Sequence, residues 1–319
     1  MLTRRGFIAS AAASAAFSGC VGGAGGNEEG GDGTAPPTRS LSTPLAASYE
    51  DYVEAATDVV RKDGIPSVDE PEFDDGSDVD DGDPVFGVEM DGEARAYPQD
   101  VLAQHEIAND VVGGRNVAVT YCPLTGTAMG FERGSTTLGV SGDLLNSNLV
   151  MYDRATETRF PQVLGAGVEG ELRGESLVPV EVTWTTWERW RDEHPDSPVM
   201  SRDTGYARNY DDDPYGGYNP KTGYYASDSV TFPVTNRDDT HPPKKVFVAA
   251  RDAETAVAFD KDRLRDEGAV SVEAGGSTYT ATYDGALDTA TVECGGEPLA
   301  AFDAMWFAWR AFYPGGTHA

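Results

Sequence analysis

From Pro84 onward the chain is cut into short apolar runs by Gly, Pro and Asp turn signals, a rhythm that admits strands joined by tight turns and little room for long helices. Val85 to Met90, the pair Asp91-Gly92, and Glu93 to Tyr97 read as a hairpin, because Asp and Gly tolerate the positive φ of a two-residue turn. Asn116 to Cys122 alternates Val117, Val119 and Tyr121 on one face, which predicts a core strand. Further strands are predicted at Leu138 to Val140, Leu149 to Tyr152, Gly167 to Leu172, Val246 to Ala250, Ala256 to Phe259, Ser277 to Tyr283 and Ala290 to Glu293. Pro98 to His105 reads as a short helix, and Thr183 as the cap of another that carries Trp184, Trp187 and Trp190 on one stripe. The Trp306, Trp309, Phe312 and Tyr313 cluster reads as a terminal segment docked into the core. The expected fold class is therefore α+β and strand-dominated: one large mixed domain with a few helices, after a disordered N-terminal tether.

The N-terminus carries an address. Thr3-Arg4-Arg5-Gly6-Phe7, the small apolar run Ile8 to Ser18, and Gly19-Cys20 form a twin-arginine export signal over 1–19, with Cys20 as the lipidation site. The run falls short of the roughly 20 residues needed to span a bilayer, so the expected product is exported and anchored to the outer face of the cytoplasmic membrane through a lipid on Cys20. Phe17 stands where such a cleavage site usually carries a smaller aliphatic residue, which leaves simple cleavage before Cys20 open. Residues 20–44, rich in Gly, Ser, Thr, Pro and acids, read as a lipidated flexible linker. Residues 45–83 read as a helix over 49–63, capped by Ser48 and stopped by Gly64, followed by an acidic connector from Asp69 to Asp83. The main domain is expected over 84–314.

Charge excludes one class of partner. Fifty-four acidic residues against 24 basic ones give a net charge of −30, and Lys62, Lys221, Lys244, Lys245 and Lys261 are the only lysines. Nucleic acid, whose phosphates need basic partners, is excluded; the sequence does not define a protein or small-molecule partner. The pattern resembles proteins of extreme halophiles, in which scattered acids hold water and salt screens their repulsion.

The residues that carry chemistry are few. Cys122 ends the predicted strand at a Pro and Gly turn, Tyr121-Cys122-Pro123-Leu124-Thr125-Gly126, where a side chain can meet a ligand. His105 lies upstream in His105-Glu106-Ile107-Ala108-Asn109-Asp110, and His241 precedes Pro242-Pro243. Thiolate and imidazole suit copper or zinc, so His105, Cys122 and His241 are the candidate metal ligands, with Met129 as a further donor. A closed zinc centre needs about four ligands, and the sequence has no Cys-x-x-Cys pair. Cys122 and His105 are equally the candidate nucleophile and base of a thiol enzyme. A half-buried structural Cys122 in a ligand-binding module is the third reading. Cys294 is the only internal thiol left to pair with Cys122 once Cys20 is lipidated, and a free thiol at each is the expectation. The stretch from Tyr206 to Tyr225 holds six tyrosines around Asp211-Asp212-Asp213 and reads as an acidic surface loop whose rings pack on the domain.

Thr120-Tyr121-Cys122-Pro123-Leu124-Thr125-Gly126-Thr127, His105-Glu106-Ile107 with Asn109-Asp110, Gly139-Val140-Ser141-Gly142 to Met151-Tyr152-Asp153-Arg154, and Met305-Trp306-Phe307-Ala308-Trp309 resemble the bacterial and archaeal group known as domain of unknown function 3179. The resemblance runs from about Pro84 to Pro314. It implies that Cys122 and His105 are site residues. Many members carry a second cysteine where this chain has Thr125, so the dithiol chemistry implied for them is not open to this pair of positions. Three functions follow as expectations: a soft-metal-binding or redox-accessory protein centred on Cys122 and His105, a thiol-dependent enzyme, or an extracellular binding module.

Overall fold

Strand Arg115–Cys122 organises the molecule because both of its faces are buried. Its period of two sends Val117, Val119 and Tyr121 into a core with Phe86, Val88, Tyr97, Leu102 and Trp184. Ala118 and Cys122 point the other way, into a core with Phe131, Leu149, Phe160, Phe247 and Trp306. Small or polar side chains on that second face let the neighbouring sheets approach closely. The computed structural model that shows this describes residues 34–40, 45–211, 213–252 and 254–319. The export signal at Arg4 and Arg5 and the lipidation site at Cys20 lie outside the described residues.

The central sheet runs in the order Pro179–Val180, Thr127–Glu132, Arg115–Cys122, Ile107–Val112, Val68–Asp69, with only the last pairing parallel. Over one face lies a sheet built on the hairpin Pro84–Met90 and Glu93–Pro98, whose turn residues Asp91 and Gly92 have φ of 51° and 82°, as the turn dipeptide requires. The other face meets the hairpin Leu138–Leu145 with Asn148–Asp153, the sheet of Val246–Arg251, Ala256–Asp260 and Ala301–Met305, and the buried helix Trp306–Phe312. A last antiparallel sheet, Ala269–Ala274 through Glu297–Leu299, packs on this group through Val248, Phe259, Leu264, Tyr279 and Val292. The protein is α+β and strand-dominated. No helix among the described residues is long and apolar enough to cross a membrane.

Several local expectations change. The helix after Ser48 covers only Tyr49–Ala55; the amides of Val59 and Val60 both donate to the Gly142 carbonyl, so this stretch is held as an edge and its valines stay partly exposed. Val68–Asp69 and Phe73–Asp74 add edge strands to two sheets, which makes part of the acidic connector structural. Thr38–Ser40, at the end of the expected linker, pairs with Glu175–Leu177. Thr183–Thr186 is a strand and the helix is Trp187–Glu193, so Trp184 enters the core beneath the central sheet while Trp187 and Trp190 pack with Val85 and Val199. Gly167 to Leu172 forms isolated bridges in place of a strand.

Candidate functional site

Cys122 pairs with Thr127 across a tight turn in which the Thr125 amide donates to the Cys122 carbonyl at 3.3 Å. Gly126 takes φ of 54°, and a Cβ there would sit 2.9 Å from the Met305 Cε, so both backbone and space call for glycine. The sulfur is fully buried: the Leu149 amide donates to Sγ at 3.4 Å, and the thiol faces the Ser147 carbonyl at 3.7 Å. The turn is braced by a polar network with no exposure. Asn148 Nδ2 donates to Thr125 Oγ1 at 3.0 Å and Gln162 Oε1 at 2.9 Å, and Gln162 Nε2 donates to Thr120 Oγ1 at 2.8 Å and the Thr127 carbonyl at 3.1 Å. A network so fully connected fixes the loop beside the thiol.

Glu106 is the partner the structure adds. Helix Gln99–His105 ends when Glu106 turns left-handed, with φ of 60°, and its amide donates to the Leu102 carbonyl at 2.8 Å. Its own carbonyl accepts the Tyr121 amide at 2.7 Å, which sets the helix end against the strand end. The side chain is 4 % exposed, and no hydrogen bond or ion pair to its carboxyl occurs among the described residues. Burial pushes this carboxyl up to about 8. Burial, followed by the nearby Glu106 carboxylate, pushes the Cys122 thiol up to about 11, against the opposing pull of the Thr125 hydroxyl and the Leu149 and Thr125 amides. At neutral pH the carboxyl and the thiol are therefore both protonated.

The tyrosine segment closes it. Tyr224 Oη donates to the Leu124 carbonyl at 2.8 Å, inside the Cys122 turn, and the Tyr225 and Tyr121 hydroxyls meet at 3.0 Å. Burial raises the Tyr215 phenol, with Glu106 and Cys122 adding to it, and raises the Tyr224 phenol with Cys122 adding to it, and both rings pack against the core cluster that contains Cys122. Lys244 lies over the Tyr224 ring at 3.1 Å, bonds to the Tyr224 carbonyl, and is pushed down to about 8 by burial. The segment packs on the domain as its composition suggested, although Tyr206 stays exposed.

The other sequence candidates have separate surroundings. His105 Nδ1 lies 2.8 Å from the Pro66 carbonyl, which can only accept, so this nitrogen carries the proton and Nε2 accepts the Tyr210 hydroxyl at 2.7 Å. Burial lowers the imidazole's affinity for a second proton. Both nitrogens are thus engaged in tying the helix to the 204–210 stretch. His241 sits edge-on among Trp306, Phe247 and His318, with ring centroids 4.7, 5.2 and 5.6 Å away. Cys294 is a free, partly buried thiol on strand Thr289–Cys294. Among the described residues no group of three or more His, Cys, Asp or Glu side chains is arranged to hold a metal, so His105, Cys122 and His241 do not form one ligand set. Glu106 had been part of the quoted motif without a role, Tyr215 and Tyr224 were read only as packing rings of the tyrosine stretch, and Asn148 and Gln162 were given no role.

No curated protein and no solved structure matches this chain. A family match does cover the edge strand at Val68, the central sheet, the Cys122 turn, Glu106 and the tyrosine segment: residues 62–295 match the family described as protein of unknown function (DUF3179), and the chain belongs to that family.

Proposed function

We propose that the protein is a thiol-dependent enzyme, exported and held at the outer face of the cytoplasmic membrane by a lipid on Cys20, in which Cys122 is the nucleophile and Glu106 the group that takes its proton. The observation that carries this reading is the backbone bond from the Tyr121 amide to the Glu106 carbonyl at 2.7 Å, which sets a buried glutamate beside the strand end that carries the fully buried Cys122 thiol. Ionised Glu106 accepts the Cys122 proton; the thiolate forms a bond to an electrophilic carbon of the substrate, and the protonated Glu106 passes its proton to the group that departs. With the carboxyl at about 8 and the thiol at about 11, the first transfer is uphill by roughly 4 kcal/mol before substrate is present. That cost already includes the help of the Leu149 and Thr125 amides and the Thr125 hydroxyl, so binding of the substrate must supply the rest. Movement of Tyr215 and Tyr224 admits a small electrophile or carbonyl compound.

Timed alkylation with iodoacetamide in high salt, followed by peptide mapping, tests the reading. Cys122 should react with a rate that climbs through pH 8, and Glu106→Gln should remove that inflection. An unreactive Cys122 beside a reactive Cys294 would sink the proposal, as would a rate indifferent to Glu106→Gln. Near-stoichiometric copper or zinc abolished by Cys122→Ser, without alkylation of Cys122 in the parent, would replace it with the soft-metal role.

A further inference from the structure

Away from Cys122, a cavity of about 350 Å³ opens between strand Thr183–Thr186, helix Lys261–Glu267 and the stretch around Tyr218. Its charge inverts that of the whole chain. The sequence has 54 acidic and 24 basic residues and only five lysines, yet Lys221, Lys245 and Lys261 all line this one cavity, joined by Arg189 and Arg265. Three of these cations are neutralised locally. Lys261 pairs with Asp303 at 2.5 Å, Lys245 with Asp260 at 2.6 Å, and Arg265 with Asp288 at 2.8 Å. Two are not: among the described residues no carboxylate pairs with Lys221, and Arg189 donates from Nη1 only to the Gly285 and Ala286 carbonyls, at 2.8 and 3.0 Å.

A second observation points into the same space. Thr185 is 6 % exposed and lines the cavity, and its buried hydroxyl has no hydrogen-bond partner among the described residues. Such a hydroxyl is unfavourable unless something accepts from it or donates to it. Trp184, stacked on Tyr218 at 4.3 Å, supplies a flat apolar wall. Two cations without a carboxylate partner and an aromatic wall around a space of this size, with a buried unbonded hydroxyl just beneath its lining, describe a pocket for a small ligand with one oxyanionic end and a flat apolar body.

We infer that this cavity binds a small organic oxyanion, a carboxylate or a phosphate, with its charged end between Lys221 and Arg189 and its apolar part against Trp184. In a chain this acidic the surrounding field repels anions, so a site that holds one must concentrate its few cations, as this cavity does. The site is independent of the Cys122 chemistry, although Tyr218 and Lys221 belong to the segment that also covers the thiol.

Calorimetric titration of the full chain in 2 M KCl, with inorganic phosphate and with benzoate as separate probes, tests this. One of the two should bind saturably with one site per chain, and Lys221→Gln and Arg189→Gln should each weaken it by tenfold or more. Lys62→Gln, a control at an exposed lysine paired with Glu157 elsewhere, should leave binding unchanged. Tighter benzoate assigns a carboxylate with a flat body; tighter phosphate assigns a phosphate ligand. Absence of saturation with both probes, or equal affinity in parent, Lys221→Gln and Arg189→Gln, overturns the inference. Because Lys221 is exposed, its variant removes charge without disturbing the core. Alkylation of Cys122 reports separately on the thiol, so the two proposals fail independently.

Discussion

The Glu106 carbonyl accepts the Tyr121 amide at 2.7 Å, one residue before Cys122, so a buried glutamate and a fully buried thiol flank one backbone bond. Two costs meet at Glu106: a left-handed backbone, and a buried carboxyl with no polar contact among the described residues. Each is unfavourable by about 1 kcal/mol or more, and a purely structural position would shed them easily. Strain of this kind, seen at an observed outlier, is the physical reason to place function there.

Stability should reflect that residue through pH. The Glu106 carboxyl titrates at about 8 when folded against an ordinary 4.5, so between those values the folded chain holds a proton that the unfolded chain releases. Stability therefore falls as pH rises through that window, by an amount on the order of 4 kcal/mol at pH 8 as an upper bound. Glu106→Gln keeps the shape and removes the titration. Urea unfolding in 2 M KCl at pH 5 and pH 8 should show the variant gaining on the parent at the higher pH; parallel profiles would refute the assignment.

Tyr224→Phe removes the hydroxyl that donates to the Leu124 carbonyl at 2.8 Å and leaves the ring in place. Global stability should fall by about 1 kcal/mol, while Cys122 alkylation should quicken several-fold because the covering segment opens more often. A rate that follows only the change in global stability would show that the segment does not gate the thiol.

Lys261 and Asp303 are 7 % and 6 % exposed in their side chains and 2.5 Å apart, so each charge relies mainly on the other. Lys261→Met should cost about 3 to 5 kcal/mol by stranding the aspartate, and adding Asp303→Leu should recover most of the loss. Denaturant unfolding of the two single variants and the double variant measures the coupling; additive costs would mean the pair is not a unit.

At Gly126 the substitution to watch is Gly126→Ala. A side chain at φ of 54° is strained by about 1 kcal/mol and must also displace the Met305 tip 2.9 Å away. The melting temperature should drop and Cys122 should become easier to alkylate, since the same turn holds both. An unchanged melting temperature would remove the turn from the list of constraints on the thiol.

What could be read in advance follows from how local each signal is. The hairpin at Asp91-Gly92 depends on two residues tolerating positive φ, and the strand ending at Cys122 depends on an alternation within eight residues, so both were legible. The helix predicted over 49–63 stopped at Ala55 because Val59 and Val60 bond to Gly142, a residue far along the chain. Trp184, Trp187 and Trp190 have helical spacing, yet strand pairing with Phe86 captures the first of them. The place of Cys122 at the end of strand Arg115–Cys122 was legible too. Glu106 was not, because a glutamate after a helix looks like solvated surface until the strand that buries it is placed, and the imidazole beside it turned out to be engaged at both nitrogens.

Tyr224 and Tyr225 are neighbours in sequence, but one holds the Leu124 carbonyl in the Cys122 turn and the other holds the Tyr121 hydroxyl, whose ring lies in the opposite core. The pair works as a hasp across the end of the strand. Neither catch can lift far while the other is fastened, so access to sulfur should come as a single all-or-none event whose frequency is set by both bonds together, and a ligand that loosens either core would change how often the thiol is seen from outside.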